Sequence, residues 1–447
     1  MTATKPHLLF CATPVYGHVM PIRAVAKQII GKGYDVTFLT GSEYQEKIES
    51  IGANFVSLQG DADFTEDKIG SMVKEFLNTV PPPSSDAIVT KGFVDMVPSQ
   101  HEGVQRALRS IVEQDSDARI VIVFEGSFRG TFPTKFGAPG IQPLGHIGLG
   151  VVPASLTSID TRPYGKGLKY DPSPEGRATN MAAHKKDNQE RFSGSQKRWK
   201  EVMTSLGASA PDMAWRDTSY RLADIFIQMC SPSIEYPRSD APSTFRFSGG
   251  LPKGFRDRMT AKPSWWNDIL NKGDREIVFV SQGTLALNPV DLMIPTMNAL
   301  KDRDDIITVC ALGKTGATLP KGTEVPANAR VEDFIPYDDI LEYADVFITN
   351  GGYGSLQHSL SNGVPLIVGG EGADKPENAM RVEFSGAGID LKTAHPTEEA
   401  LYEAVMKVLQ NPKYKMRAVE IKKEMESYDP IEVIVNSIAE AANGHKL

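Results

Sequence analysis

Residues 346–379, VFITNGGYGSLQHSLSNGVPLIVGGEGADKPENA, decide how the rest of the chain is read. Val346, Phe347, Ile348 and Thr349 are apolar or β-favouring, a Gly-rich turn follows, and helix-compatible residues run from Ser355 to Ser361. The pattern predicts a strand, a tight turn and a helix. Such a turn points backbone N–H groups outward, and at a helix start they join the positive end of the macrodipole to form an anion site. Gly351 and Gly352 let a phosphate approach the backbone closely, so a diphosphate fits there.

The second half of the stretch repeats the logic. Gly363-Val364-Pro365 closes the helix, Leu366 to Val368 make a buried strand, and the loop Gly369 to Pro376 carries Glu371, Asp374 and Lys375. Polar side chains then stand at the carboxyl end of a parallel strand, where open α/β sheets bind ligands. Groups for a phosphate beside groups for hydroxyls point to a nucleotide sugar.

The whole chain, 447 residues long, exceeds what one core normally organises and predicts two or three domains. With 40% hydrophobic and 23% charged residues it has an ordinary soluble globular composition. Its formal charge of -8 argues against nucleic acid or an anionic membrane as partner. Cys11, Cys230 and Cys310 are the three cysteines, each in or at the end of an apolar run, which predicts buried free thiols in a reducing compartment. The N-terminal residues lack the basic and apolar segments of a secretory signal, and no stretch reaches the roughly 20 apolar residues that span a bilayer. The expected location is the cytoplasm.

From the start, strand and helix patterns alternate: His7 to Ala12, the helical Ile22 to Ile30, Tyr34 to Thr40, Glu43 to Ser50, and Asn54 to Leu58. Alternation of this kind predicts a doubly wound parallel sheet. Residues 61–100 are irregular and include Pro81-Pro82-Pro83, after which a helix near Gly103 to Glu113 and the strand Arg119 to Phe124 are expected. Ser155 to Arg177 is rich in Pro and Gly and reads as a functional loop or lid, followed by a polar helical segment over about residues 180–206. Strands at Asp224 to Cys230 and Thr244 to Phe247 close the first domain, and Pro252, Gly254 and Pro263 interrupt the pattern at the boundary. Alternation restarts with strands at Glu276 to Val280, Ile306 to Ala311 and Arg330 to Phe334 before the opening stretch. The expected domains are 1–250, 251–429 and a helix within 430–447 that packs back on the first. Two similar α/β halves facing each other enclose a ligand cleft.

Thr349, Gly352, Ser355, Gly363-Val364-Pro365, Asp374 and Asn378-Ala379 fall where a known signature has Thr-His-x-Gly-x-x-Ser, Gly-Val-Pro and Asp-Gln-x-x-Asn-Ala. The chain thus resembles the nucleotide-sugar-dependent glycosyltransferases of plant secondary metabolism and bacterial macrolide synthesis. Two departures stand out: Asn350 replaces a phosphate-contacting His, and Lys375 replaces a Gln frequent in plant members. An Asn amide can donate a hydrogen bond but carries no charge.

His18, read alone, is equally a helix-capping or exposed histidine. Its flanks Pro14, Gly17 and Pro21 match the family's Pro-x-x-Gly-His-x-x-Pro turn, and the resemblance implies a catalytic base. Such a base is needed because an alcohol is a weak nucleophile, and a positioned acceptor for its proton contributes roughly 10² to 10⁴ in rate. Glu125 ends the strand IVIVFE where the family commonly has Asp, so it is either the imidazole's orienting partner or a solvated strand-end acid. Asp61 and Asp63 are weaker candidates for that role.

By the same resemblance, Ser281-Gln282-Gly283-Thr284 matches Ser-Phe-Gly-Ser, with the Thr284 hydroxyl on a phosphate oxygen. Phe334-Ile335-Pro336-Tyr337 matches Trp-Ala-Pro-Gln, so Phe334 stacks on the base, the Ile335 backbone reads its edge, and Tyr337 adjoins the nucleotide. A core Phe at a strand end is the competing reading of Phe334. Asn350, Gly351, Gly352 and Ser355 face the diphosphate, and His358 stands where plant members bind ribose. Glu371, Asp374 and Lys375 hold the sugar hydroxyls.

Gly313-Lys314-Thr315-Gly316 is not a phosphate-binding P-loop, because Thr308 stands where its first Gly belongs; a hairpin turn is expected. Asp302, Asp304 and Asp305 read as a solvated run, and no spacing suits a metal. The resemblance implies two Rossmann-like α/β domains facing across a cleft, the GT-B arrangement, with no bound cofactor and a UDP-sugar as donor. It implies inverting transfer of a hexose, glucose first among them, to a hydroxyl of a small lipophilic acceptor such as a phenol, polyketide, terpenoid or sterol. A nucleotide-sugar epimerase and a non-catalytic nucleotide-sugar binding protein are the alternatives.

Overall fold

The computed structural model describes residues 5–65, 67–68, 71, 79–81, 83–251, 262–283 and 288–444. Apolar runs near the N-terminus form β1 (His7–Cys11), β2 (Val36–Thr40) and β3 (Asn54–Ser57), joined further on by β4 (Ile120–Glu125), β5 (Gly145–Gly150), β6 (Ile225–Gln228) and β7 (Phe245–Phe247). They lie in the order β3-β2-β1-β4-β5-β6-β7, every neighbouring pair parallel. A second sheet contains β8 (Glu276–Ser281), β9 (Ile306–Ala311), β10 (Ala329–Glu332), β11 (Val346–Thr349), β12 (Leu366–Val368) and β13 (Gly388–Asp390). Its order is β10-β9-β8-β11-β12-β13, again all parallel. Strands β2, β4, β9 and β11 are buried at every residue, as parallel strands covered on both faces require.

The principal helices are α1 (Tyr16–Gly31), α2 (Val97–Gln114), α3 (Pro174–Lys186), α4 (Ser193–Ser205), α5 (Met293–Leu300), α6 (Tyr353–Ser361), α7 (Lys375–Ser385), α8 (Glu398–Gln410), α9 (Pro412–Glu426) and α10 (Pro430–Ala442). The last one crosses back to the first sheet. Ile431, Ile434, Ile438, Ala441 and Ala442 are buried in the same core as β1, β4 and β5. Each fully buried Ile contributes roughly 1.5–3 kcal/mol. Arg246 grips Glu440 with two bonds of 2.6 and 2.8 Å, and Arg119 donates to the Ala442 carbonyl at 2.7 Å. We propose the division into 1–250, 251–429 and 430–447, which the last strand of the first sheet at Phe247 and the return of α10 support. Residues 252–261 of that boundary lie outside the described residues.

One local expectation is refined, one is corrected, and one strand was not expected. The polar segment 180–206 is two helices, α3 and α4, separated by a wide turn at Asp187–Arg191. Asp187 is buried there and draws Lys166, Arg191 and Arg216 to within 3.4, 3.7 and 3.3 Å, so the charges set the break. Residues 313–316 form a turn but not a hairpin, because β9 and β10 run parallel. The strand β5, GHIGLG, has no β-branched signal beyond one Ile. Its glycines make room for neighbours: a Cβ at Gly148 would meet the Phe226 ring at 2.4 Å, and one at Gly145 would meet the Ala441 Cβ at 2.8 Å.

A buried charge cluster joins the two halves. Arg381 of α7, 1% exposed, stands 3.1 Å from Glu235 through Nε and 2.9 Å from Glu377 through Nη1, and its Nη2 donates to the Ala154 carbonyl at 3.0 Å. Its guanidinium lies 4.6 Å from the Tyr236 ring centre. Glu235 in turn accepts from the Ala154 N–H and faces Arg238 at 3.3 Å, while Glu377 accepts from the Gly165 N–H at 2.7 Å, tying in the Pro/Gly-rich loop. Beside this cluster, Gln228 at the end of β6 donates to the Tyr353 hydroxyl at the start of α6 at 3.0 Å.

Replacing one partner of such a cluster strands its counter-charges in a dry interior, which costs about 3–5 kcal/mol. Arg381→Met is therefore expected to lower unfolding free energy by about that much in urea titration, with part of the loss recovered when Glu235→Gln and Glu377→Gln are added. A loss below about 1 kcal/mol, the scale of a surface ion pair, would show that the cluster does not hold the halves together.

Candidate active site

In a doubly wound sheet the strand order reverses at one place, and the loops on either side splay apart to leave a crevice at the carboxyl ends. In the first sheet that place lies between β1 and β4; in the second, between β8 and β11. His18 follows β1, Glu125 ends β4, Gln282 and Gly283 follow β8, and Gly351 follows β11. Both crevices thus hold the expected polar groups.

His18 is the third residue of α1, with its N–H bonded to the Val15 carbonyl at 2.8 Å. Its Nδ1 lies 3.0 Å from Glu125 Oε1, an ion-pair distance at a bent hydrogen-bond angle. Glu125 is fully sealed while the His18 side chain stays 18% exposed, so a ligand can reach the imidazole but not its partner. The Ser127 N–H also donates to Glu125 Oε1 at 2.8 Å. Burial alone would lower the His18 pKa; the carboxylates of Glu125 and, more distantly, Asp374 outweigh it and raise the pKa above 6.5. Burial would raise Glu125, but His18 and the Ser127 bond hold it below the usual glutamate value. Asp374 belongs to the second half, so the two crevices face one another closely enough to share a field.

On that second side, Gly351 adopts φ +87°, which suits Gly, and a Cβ there would meet the Val368 side chain at 2.8 Å. The helix α6 then starts from Gly352 without a side-chain cap. Its first N–H groups have no intrahelical acceptor, and the helix begins at the carboxyl end of β11, beside the switch point, as an anion site requires. Asn378 locks the turn by donating to the Gly351 carbonyl at 2.7 Å and to Asp374 Oδ2 at 3.0 Å. Asp374 immediately precedes α7 and Lys375 opens it; burial lowers the Lys375 pKa, against the pull of Asp374 and Asp291.

Several expected residues sit differently from a simple lining. One hydrogen of the Asn350 amide is given to the Gln282 carbonyl, so Asn350 is a strut between the β8 and β11 turns. Tyr337 is in the core against Phe279 and Phe347, and its hydroxyl lies 3.2 Å from Ser281 Oγ and 3.3 Å from Ser355 Oγ. It backs the site rather than facing it, because the apolar pocket between β8 and β11 takes the ring. The Ile335 side chain is likewise in the core, whereas Phe334 is half-buried. His358 is nearly buried, its Nδ1 2.8 Å from Asp338 and its ring edge-on to Tyr337. Glu371 is exposed and accepts from the Ala394 N–H at 3.2 Å. Thr284 lies outside the described residues. Asp63 is occupied by the Ser42 N–H at 2.8 Å, and no contact ties it to His18.

Asn378 and Arg381 were not expected as parts of the site. Asn378 lies inside the matched motif, and that was its only signal; Arg381 reads as one more exposed helix charge until α7 meets Glu235. Among the described residues no group of three His, Cys, Asp or Glu side chains could hold a metal ion, and no helix is long and apolar enough to cross a membrane. The three cysteines are buried and free.

Residues 296–440 match the family model of the erythromycin biosynthesis protein CIII-like C-terminal domain. The chain is 38% identical over 443 residues to UDP-glucosyltransferase A1 of Starmerella bombicola, covering 98% of this chain and 93% of that one. It is 39% identical over 445 residues to UDP-glycosyltransferase 2 of Phaeomoniella chlamydospora, covering 99% and 97%. The fold matches that of the glycotransferase of kitacinnamycin with a TM-score of 0.70 at 19% identity, over 98% and 99% of the two chains. Two facing Rossmann-like domains in the GT-B arrangement, together with full-length relatives at this identity, show that the chain belongs to the UDP-glycosyltransferase family.

Proposed function

We propose that the protein is an inverting glucosyltransferase that moves the sugar of UDP-glucose to a hydroxyl of a small lipophilic acceptor. The observation that carries this reading is the His18–Glu125 contact at one switch point, facing Asp374 and the helix start of α6 at the other. His18 takes the acceptor proton while the acceptor oxygen attacks the anomeric carbon, and the UDP leaves from the opposite face. Glu125 holds the ring and stabilises the imidazolium that forms. Charge growing on the leaving diphosphate meets the N–H groups at the start of α6, donors set in place before reaction begins, while the Ser355 hydroxyl, which donates to Tyr337, reaches it only by turning away from that bond. Phe334 stacks on the uracil, the Ile335 backbone reads its edge, and His358 with its Asp338 partner adjoins the ribose. Asp374 and Lys375 hold the sugar hydroxyls, with Glu371 at the outer rim and Thr284 on a phosphate oxygen.

The acceptor pocket belongs to the first half, walled by the loops after β1 and β4 and by residues 151–173. The names of the relatives, a UDP-glucosyltransferase and a UDP-glycosyltransferase, support the donor. Three buried free thiols support a reducing compartment, the cytoplasm. The chemistry proceeds without a metal, the helix start supplying the positive field.

His18→Ala is expected to lower UDP release in the presence of acceptor by roughly 10³-fold or more while the UDP dissociation constant, read by calorimetry, changes less than about threefold. Loss of both together would remove His18 from catalysis and make it a structural residue.

The pH profile follows from the sign of the His18 shift. The base works only when neutral, so kcat/KM falls as pH drops through an apparent pKa above 6.5 and levels off at higher pH. In Glu125→Gln the main carboxylate is gone and burial gains ground, which moves the midpoint to lower pH and lowers kcat by roughly 10- to 10³-fold. A midpoint unchanged by the substitution would separate Glu125 from the base.

A further inference from the structure

Beside the loop that carries Glu371 lies a cavity of about 540 Å³, within the roughly 300–1,000 Å³ range of small-molecule sites. Lys169 and Tyr170 of the Pro/Gly-rich loop line it from the first half, together with Tyr236. From the second half it is lined by Gly370 and Glu371, by one side of α7, and by the end of β13. Of the residues assigned above to the donor, Glu371 alone borders it, so the transfer chemistry leaves most of this space unused.

Three aromatic rings meet there. Tyr170 lies parallel to Tyr236 with ring centres 5.1 Å apart, and Phe384 of α7 is T-shaped to the two at 5.2 and 4.9 Å. Tyr236 is 7% exposed and Phe384 41%, so Phe384 offers the most accessible ring. The loops of the second half are held in unusual backbone: among the described residues other than Gly, only Ala373, at φ +48°, and Lys392, at φ +59°, are left-handed, one on each loop. Strain of this kind persists only where the surroundings fix it, and it gathers at ligand sites.

Ionisable groups of both signs surround the same space, Lys169 and Lys392 against Glu371, Glu383 and Asp390. Glu371 and Asp390 accept from backbone N–H groups, of Ala394 at 3.2 Å and of Lys392 at 2.8 Å, and none of the five side chains is in an ion pair among the described residues. This mixture selects among ligands. A hydrocarbon chain would dry five ionisable groups without pairing them, and an anion or a cation would meet like charge as well as opposite. The O–H groups of a hexose both donate and accept, so carboxylates and ammonium groups serve one ring together. The C–H bonds on its less polar side are slightly positive and rest on the negative face of an aromatic ring.

We propose that this cavity is a saccharide-binding subsite, which takes a hexose ring other than the one transferred and seats it on Phe384 between the two lysines and the three acids. The ring is either borne by the acceptor or part of a free saccharide. Because the walls come from both halves, an occupied cavity holds the Pro/Gly-rich loop against α7. The subsite borders the donor site proposed above and does not depend on it.

The test is saturation-transfer NMR on the full-length protein in excess UDP, with methyl β-D-glucopyranoside, 4-hydroxyphenyl β-D-glucopyranoside and cyclohexanol as probes. Both glucosides are expected to receive saturation on their sugar protons, and cyclohexanol far less. Phe384→Ala should weaken glucoside binding roughly twofold to tenfold, the scale of one stacked ring. Lys392→Gly, which keeps the left-handed backbone and removes the ammonium group, should weaken it too. Tighter binding of the aryl glucoside, with its phenol protons saturated as well, assigns the ring to the acceptor, and equal affinity assigns it to a free saccharide; either result upholds the subsite. Cyclohexanol bound as well as the glucosides would make the cavity a plain apolar pocket and overturn the proposal. So would the lack of any glucoside signal, a signal unchanged in both variants, or one lost in Asp374→Asn but kept in Phe384→Ala, which puts the glucoside in the donor site. The uridine protons of UDP report on the donor site in the same spectra, and their silence would count against the donor reading alone.

Discussion

The structure depends on one buried constraint, the pairing of Arg381 with Glu235 and Glu377. In the proposed reading each crevice alone is half a site: one holds the base without a sugar to attack, the other an anion cradle without a nucleophile. The guanidinium of α7 brings them together because the two carboxylates it satisfies belong to different halves. Ion pairs in the open are worth little, but this one is sealed, and its cost is recovered only when both halves are in register. The same helix starts at Lys375, directly after Asp374, so what aligns the halves also brings Asp374, proposed above for the sugar, within the field of His18. Gly165 on Glu377 extends the constraint to the Pro/Gly-rich loop over the cleft.

The parallel sheets explain why the chemistry sits where it does. Reversal of strand order opens a crevice at the carboxyl ends, and the loops there are free to carry polar groups because they take no part in the ladder. Glu125 can stay ionised in a sealed position because His18 and the Ser127 N–H replace water. His18 can be basic because Glu125 and Asp374 overcome burial. Each shift has its cause in the other group, so neither residue is tuned alone.

Much of this was legible in residues 346–379, where the strand, turn and helix follow from side-chain pattern and glycine placement. Alternation of strands and helices predicted both parallel sheets, and β5 escaped because its glycines answer to Phe226 and Ala441, which are distant in sequence. The resemblance singled out His18 and Glu125; no local pattern could have told their contact from two solvated groups. The Asn350 strut, Tyr337 behind the wall and the partners of Arg381 were not legible. Each depends on which distant element packs there, and hydrogen-bonding residues look alike in sequence whether they face a ligand or brace a turn.

The central claim is a single displacement in which the acceptor, deprotonated by His18, attacks from the face opposite the departing UDP. It is tested most directly by the anomeric configuration, read by proton NMR, of the first product formed from α-linked UDP-glucose in a single turnover. A β-glycoside is the predicted result. An α-glycoside would mean attack from the same face or a covalent intermediate, and would contradict the assignment of His18 and Glu125 as the base and its support.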